Sequence, residues 1–267
     1  MLNLRKYGAP PYEIAVIHGG PGAPGEMAPV ARELAARARP RRGVLEPLQT
    51  AASVLGQIEE LQTVLEKSAR LPIVLLGHSW GAWLSYLLAA RHPGQVKKLI
   101  LVGSGPFTEA YVPAINALRF SRLSDAENRQ VKKWLAALED PALENRDEIL
   151  RRFGRLMTKI DTYCPIPRHA GKNDAAVTVQ AAVFQNVLSE AMALRQSGEL
   201  LRLGAGIQCP VLAIHGDYDP HPFAGVQEPL SQVIRDFRFI LLRHCGHTPW
   251  KELYAREKFY QLLCEEV

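Results

Sequence analysis

Thiols are scarce. The 267 residues include 4 cysteines, Cys164, Cys209, Cys245 and Cys264, and none stands in a C-x-x-C pair. Such sparse thiols stay free in a reducing compartment, so a cytoplasmic location is expected. No run of 18 apolar residues exists, which removes a membrane-spanning helix. The start, Met1 to Gly8, has no apolar core segment, so no signal peptide is expected. No internal repeat and no low-complexity segment occurs. A strong excess of one charge is also missing: 32 Lys and Arg face 27 Asp and Glu, for a net +5. Part of that excess is local, in Arg37, Arg39, Arg41 and Arg42. No aromatic residues interleave those arginines and no nucleic-acid motif is present. They read as a solvated helix end broken by Pro40 rather than a phosphate patch. Neither nucleic acid nor a membrane is expected as a partner.

What the chain does have is core. Hydrophobic residues make up 47% and charged residues 22%, enough for one large α/β domain or two small ones. The most informative stretch is Gly77-His78-Ser79-Trp80-Gly81. Leu71 to Leu76 before it is short and apolar, as a buried strand is. Ala82 to Ala90 after it places Trp83, Leu84, Leu87 and Leu88 at helical spacing. A G-x-S-x-G turn between strand and helix is a nucleophile elbow. It lifts a serine hydroxyl above the sheet, and glycines let strand and helix pass closely. The plainer alternative is a helix N-terminus with Ser79 as an ordinary cap. Chance gives roughly 0.06 such pentapeptides per chain of this composition, so the surroundings must decide.

The surroundings alternate. Tyr12 to His18 reads as a buried strand, followed at once by Gly19-Gly20-Pro21-Gly22. A glycine loop there suits an oxyanion hole built from the N–H groups of Gly20 and Trp80, or else a plain turn. Helices are expected at 26–39 and 53–67, the latter capped by Ser53, with strands at 43–47 and 97–103. Strand and helix in alternation imply a mostly parallel sheet with helices on both faces. From 105 to 206 the pattern is helical, at 107–121, 125–138, 144–160 and 175–196. Pro141, Pro165, Pro167 and Gly171 punctuate it, and 14 basic and 12 acidic residues leave it without a strong field. Alternation resumes with strands at 210–216 and 237–242 and helices near 224–234 and 252–265. The expected organisation is a core of 1–104 and 207–267 with a helical cap of 105–206.

Three polar groups then follow predicted strand ends in the order Ser79, Asp219, His247, the order of an α/β-hydrolase triad. Ser79 would attack a carbonyl, His247 would take and return its proton, and Asp219 would hold the imidazole. Asp217 competes with Asp219, and His244 with His247. A metal set of Asp217, Asp219, His221, His244 and His247 matches no zinc spacing, so no metal and no cofactor are expected. His18 and His215 end strands and read as structural. His78 would pack or bond locally. His18, Phe107 and Trp250 are candidate pocket residues.

His18-Gly-Gly-Pro-Gly22, the elbow, His215-Gly-Asp-Tyr-Asp219 and Cys245-Gly-His-Thr-Pro249 together resemble the α/β-hydrolase superfamily, within it the capped branch similar to proline iminopeptidases. The resemblance covers about 10–104 and 207–267. It implies a serine hydrolase with a helical cap. Two departures stand out. Family members usually begin with a β-hairpin, and only about a dozen residues precede the first strand here, so a trimmed sheet edge is expected. Proline iminopeptidases tend to carry glycine where this elbow has His78. The function expected is hydrolysis of a small ester or amide, the substrate a small molecule or short peptide. One alternative is an aminopeptidase, for which Glu109, Glu190 or Glu199 would bind the substrate's ammonium. Another is a silent ligand-binding protein.

Overall fold

Alternate residues of the inner strands serve opposite faces of one sheet, and that alternation builds two cores. Ala15, Ile17, Leu75, Leu99, Leu101, Val211 and Ala213 join one hydrophobic cluster. Ile14, Val16, Val74, Leu76, Ile100, Val102, Leu212 and Ile214 join the other. The computed structural model describes residues 3–21, 24–38, 41–140, 142–167 and 180–267. Gly22, Arg39, Pro40, Pro141, Gly171 and the start of the expected 175–196 helix, 175–179, lie outside the described residues.

The sheet has seven strands: β1 (Leu4–Tyr7), β2 (Tyr12–Ile17), β3 (Gly43–Pro47), β4 (Ile73–His78), β5 (Val96–Val102), β6 (Val211–Gly216) and β7 (Phe237–Leu242). Their spatial order is β1-β3-β2-β4-β5-β6-β7. Only β1 runs antiparallel, pairing Leu4 with Pro47 through Tyr7 with Val44. It pairs with β3 rather than with β2, so no hairpin opens the described chain. One four-residue strand forms that edge.

Helices α1 (Ala28–Arg37) and α10 (Arg256–Glu266) cover one face of the sheet. Helices α2 (Val54–Ser68), α3 (Trp80–Arg91) and α9 (Ala224–Val233) cover the other. Ser53 does cap α2, its Oγ accepting from the Gly56 N–H at 3.0 Å. Between β5 and β6 lie α4 (Val112–Ser121), α5 (Asp125–Glu139), α6 (Arg146–Ile160), α7 (Ala181–Gln196) and α8 (Glu199–Arg202). Two small clusters of their own, around Leu123, Val131 and Ile160 and around Leu138, Leu150 and Ala181, hold α5 to α7 and the turn after α4 together. Helix α7 also reaches the sheet-side core through Val183, Val187 and Ala191. The last helix starts at Arg256, later than its expected start, because Glu252 is drawn into a bridge with Pro165.

Candidate active site

The elbow is strained where the chemistry needs it. Ser79 sits at φ 54° and ψ −116°, and its side chain makes no capping bond, so it is not an ordinary N-cap. Two glycines make the turn possible. A Cβ on Gly77 would run into the backbone of Gly81, and one on Gly81 into the carbonyls of Ile17 and His18. Parallel pairing of β4 with β5 puts the Ser79 N–H on the Val102 carbonyl at 2.9 Å. The next residue, Gly103, meets the third loop: a Cβ there would lie 3.2 Å from His247 Nδ1 and 3.3 Å from Asp219 Oδ2. The ends of β4, β5, β6 and β7 thus converge at the carboxyl edge, where open α/β sheets bind ligands.

Asp219 and His247 are in direct contact. His247 Nδ1–H donates to Asp219 Oδ2 at 2.7 Å. The proton on Nδ1 leaves the Nε2 lone pair as the base. Burial pulls the His247 pKa down, but the charge and hydrogen bond of Asp219 outweigh it, and the net value is raised. Burial pushes Asp219 up, yet the neighbouring His247, His221 and His215 hold it well below the usual carboxylate range. The competitors lie elsewhere. Asp217 accepts from the Cys245 N–H at 3.2 Å and braces the His247 loop from behind. His244 is exposed beside the Tyr163 hydroxyl, at 3.2 Å.

The motif reading missed a third participant. His221 donates its backbone N–H (3.0 Å) and its Nδ1–H (2.8 Å) to Asp219 Oδ1, and its ring lies 4.7 Å from that of His247. So each carboxylate oxygen holds one imidazole. Burial lowers the His221 pKa to about 4 despite that carboxylate, which keeps the ring neutral. Of the five residues weighed as a metal set the structure brings together Asp219, His221 and His247, whose ligand atoms lie within 4.8 Å of one another. The carboxylate there is already engaged by both rings.

Histidines also fasten the surrounding loops. His78 donates Nε2–H to the His247 carbonyl at 3.0 Å, with Nδ1 turned to Glu26 Oε2 at 3.4 Å. Burial keeps its pKa low, against the pull of Glu26. His215 Nε2–H donates to the His221 carbonyl at 2.8 Å. His18 donates Nδ1–H to the Gly19 carbonyl (2.9 Å) and accepts the Gln49 N–H (3.2 Å), and burial lowers its pKa to about 4.

Gly20, half-buried at φ 51°, stands at the mouth of this loop, and Trp80 opens α3. The first N–H groups of a helix have no intrahelical acceptor, so the Trp80 N–H suits an incoming anion. The Trp80 side chain points away, donating to Gln57 Oε1 at 2.8 Å. The three candidate pocket residues are closed off. His18 is fully bonded, Phe107 packs on Trp83 and Tyr86, and Trp250 packs on His78 and Phe259. All three are buried.

None of the three ammonium candidates stands alone. Glu109 accepts from Arg195 at 2.9 Å, Glu190 accepts the Val54 N–H at 2.7 Å, and Glu199 pairs with Arg202. Arg37 is paired with Glu33 and Glu257, and Arg42 with Glu13, as a solvated helix end would be. Among the described residues no helix is long and apolar enough to cross a membrane.

The sequence model of the alpha/beta hydrolase family matches residues 14–260. No curated protein sequence matches the chain. VinJ superposes with a TM-score of 0.70 at 20% identity, over 98% of this chain and 93% of that one. E-2-(acetamidomethylene)succinate hydrolase does so at 0.63 and 18%, over 99% and 94%. The proline iminopeptidase of Mycobacterium smegmatis gives 0.62 and 17%, over 98% and 93%. At such identities the likeness carries the fold and no substrate.

Proposed function

Because the chain belongs to the alpha/beta hydrolase family, we propose that it is a serine hydrolase of small esters or amides, acting through Ser79, His247 and Asp219. The observation that carries this reading is the 2.7 Å Asp219–His247 contact in a loop touching Gly103, beside a serine held at positive φ. The Ser79 hydroxyl attacks the substrate carbonyl while His247 Nε2 takes its proton. The oxygen of the tetrahedral adduct turns negative toward the N–H groups of Gly20 and Trp80. His247 then returns the proton to the leaving alcohol or amine, which leaves the acyl group on Ser79. A water repeats the sequence in reverse and frees the acid. Helices α4 to α8 serve as the cap, and the site runs in the cytoplasm on a small-molecule or short-peptide substrate without a cofactor. The aminopeptidase reading is the weaker one, since each of its three acids already has a partner.

A fluorophosphonate probe followed by peptide mapping tests the proposal. The expected adduct is on Ser79. An unlabelled Ser79 beside a reacting control hydrolase would leave the silent ligand-binding alternative standing.

The proton balance gives a second expectation. His247 acts as a base only when neutral, and its pKa is raised above the ordinary 6.5. So kcat/KM falls as pH drops through a value above 6.5. His18 and His221, held down near 4 by burial, stay neutral through that window. A pH–rate profile on an ester checks this, and an acid limb below 6.5 would contradict it.

A further inference from the structure

Glu252 belongs to neither the elbow nor the triad, and its side chain is 0% exposed. A buried carboxylate without compensation is costly, so its partners deserve a full account. Among its hydrogen-bond donors are three backbone N–H groups. Oε1 accepts from Gly246 and from Tyr163, and Oε2 accepts from Cys164, each at 2.8 Å. Gly246 immediately precedes His247. Tyr163 and Cys164 lie just beyond α6, within the helical stretch between β5 and β6. One side chain therefore spans two segments that are more than 80 residues apart in sequence.

The backbone completes the clamp. The His247 N–H donates to the Asp161 carbonyl at 2.9 Å. Leu253 donates to Cys164 (2.8 Å) and Ile166 to Lys251 (2.9 Å), and Pro165 bridges Glu252 antiparallel. Gly246 has room for nothing larger, because a Cβ there would overlap the Asp161 carbonyl. Arg119 of α4 holds the Asp161 carboxylate from the other side, and Arg122 bonds the carbonyls of Ile160 (3.1 Å) and Tyr218 (2.8 Å).

We infer that Glu252 is a positioning residue for His247: its carboxylate locks the His247 loop to the 161–166 segment and so fixes the imidazole against Asp219. Charge-assisted bonds from three N–H groups are stronger and shorter than neutral ones, which suits a group that must hold a loop still. The inference rests on the serine-hydrolase reading for its kinetic consequence, while the clamp itself can be read without turnover.

Glu252→Gln tests it with little change in volume. A carboxamide has one acceptor oxygen, so it cannot serve N–H groups that now use both oxygens. Its NH2 would face a donor. The imidazole then loses its fixed place, and small misplacements of a reacting group cost about a hundredfold in rate. The expected result is a fall in kcat of about that size with KM within about twofold. The acid limb should also move down toward the ordinary imidazole value. The limb moves because His247 owes its raised pKa to Asp219, in a field that also includes His221, His215, His78, Asp161 and Arg119. Glu252→Asp keeps the charge on a shorter arm and should recover part of kcat.

Amide hydrogen exchange supplies the readout that needs no substrate. In the wild-type protein the Gly246, Tyr163 and Cys164 amides should exchange slowly, and in Glu252→Gln all three should speed up together. A variant with wild-type kcat and an unmoved acid limb overturns the inference, even if it melts earlier. So does fast exchange of those amides in the wild type, a result that holds even if every Glu252 variant fails to fold. Slow exchange with no Ser79-dependent turnover would sink the hydrolase reading and the kinetic role together, but leave the clamp.

Discussion

Ser79→Ala is expected to lower kcat on an ester substrate by about a thousandfold to a millionfold while leaving the melting temperature within about 2 °C of wild type. The two halves of that result have separate causes. The hydroxyl is the atom that bonds to the substrate, and the remaining binding and N–H groups supply only a residual acceleration. The fold does not depend on it. The serine makes no capping bond, and what ties it to the sheet is its backbone N–H on Val102, which alanine keeps. Alanine at φ 54° inherits strain that serine already bears, so little changes there. Adding Asp219→Asn to the alanine variant should reduce the rate hardly further, since residues acting as one unit are not additive. Steady-state kinetics with a thermal melt checks both halves. A variant retaining a tenth of wild-type kcat would place the nucleophile elsewhere.

Much of the fold, and the Asp219–His247 contact at the candidate site, was legible in the sequence, and the residues show why. The strands β2, β4, β5 and β6 are largely apolar runs that end in or run into glycine or histidine, and the parallel order of β2 to β7 follows from the helices between them. Ser79, Asp219 and His247 stand at strand ends, where position in the chain fixes position in space. Strand β1 was not legible. Leu4-Arg-Lys-Tyr7 is four residues long with two charges, and it is a strand only because β3 offers it an edge. His221 escaped because its role depends on how the chain turns after Pro220, which decides whether its ring meets Asp219 or solvent. Glu252 escaped for a deeper reason. Its partners include three backbone N–H groups, and every residue but proline has one, so no side-chain pattern announces them. The burial of the three pocket candidates was not legible either: Phe107 and Trp250 turn into the two cores, and His18 is buried on backbone partners. The acids Glu109, Glu190 and Glu199 were visible as charges, and their partners only as distances across the fold.

Gly81→Ala should cost the protein its stability, although the substitution adds one methyl group and touches no catalytic atom. At that point α3 crosses the end of β2, and the space a Cβ would need is occupied by the carbonyls of Ile17 and His18. Those carbonyls are backbone, at the end of a strand that pairs with β4 as far as Ile17, so they cannot swing aside as a side chain would. Relief requires α3 to lift from the sheet, and α3 is buried along nearly its whole length. Overpacking into a rigid wall with loss of helix–sheet contact places the cost at about 4 kcal/mol or more, a large part of the 5–15 kcal/mol that typically holds a domain together. For a chain of this size that is a fall in melting temperature of roughly 8–16 °C, or failure to fold. Gly154→Ala is the control. A Cβ there meets nothing within 4 Å, and the site lies inside α6, so alanine should stabilise by about 0.5–1 kcal/mol. Thermal melts of both variants decide the matter. A Gly81→Ala protein melting within 2 °C of wild type would mean that strand and helix do not pass as closely as the elbow requires.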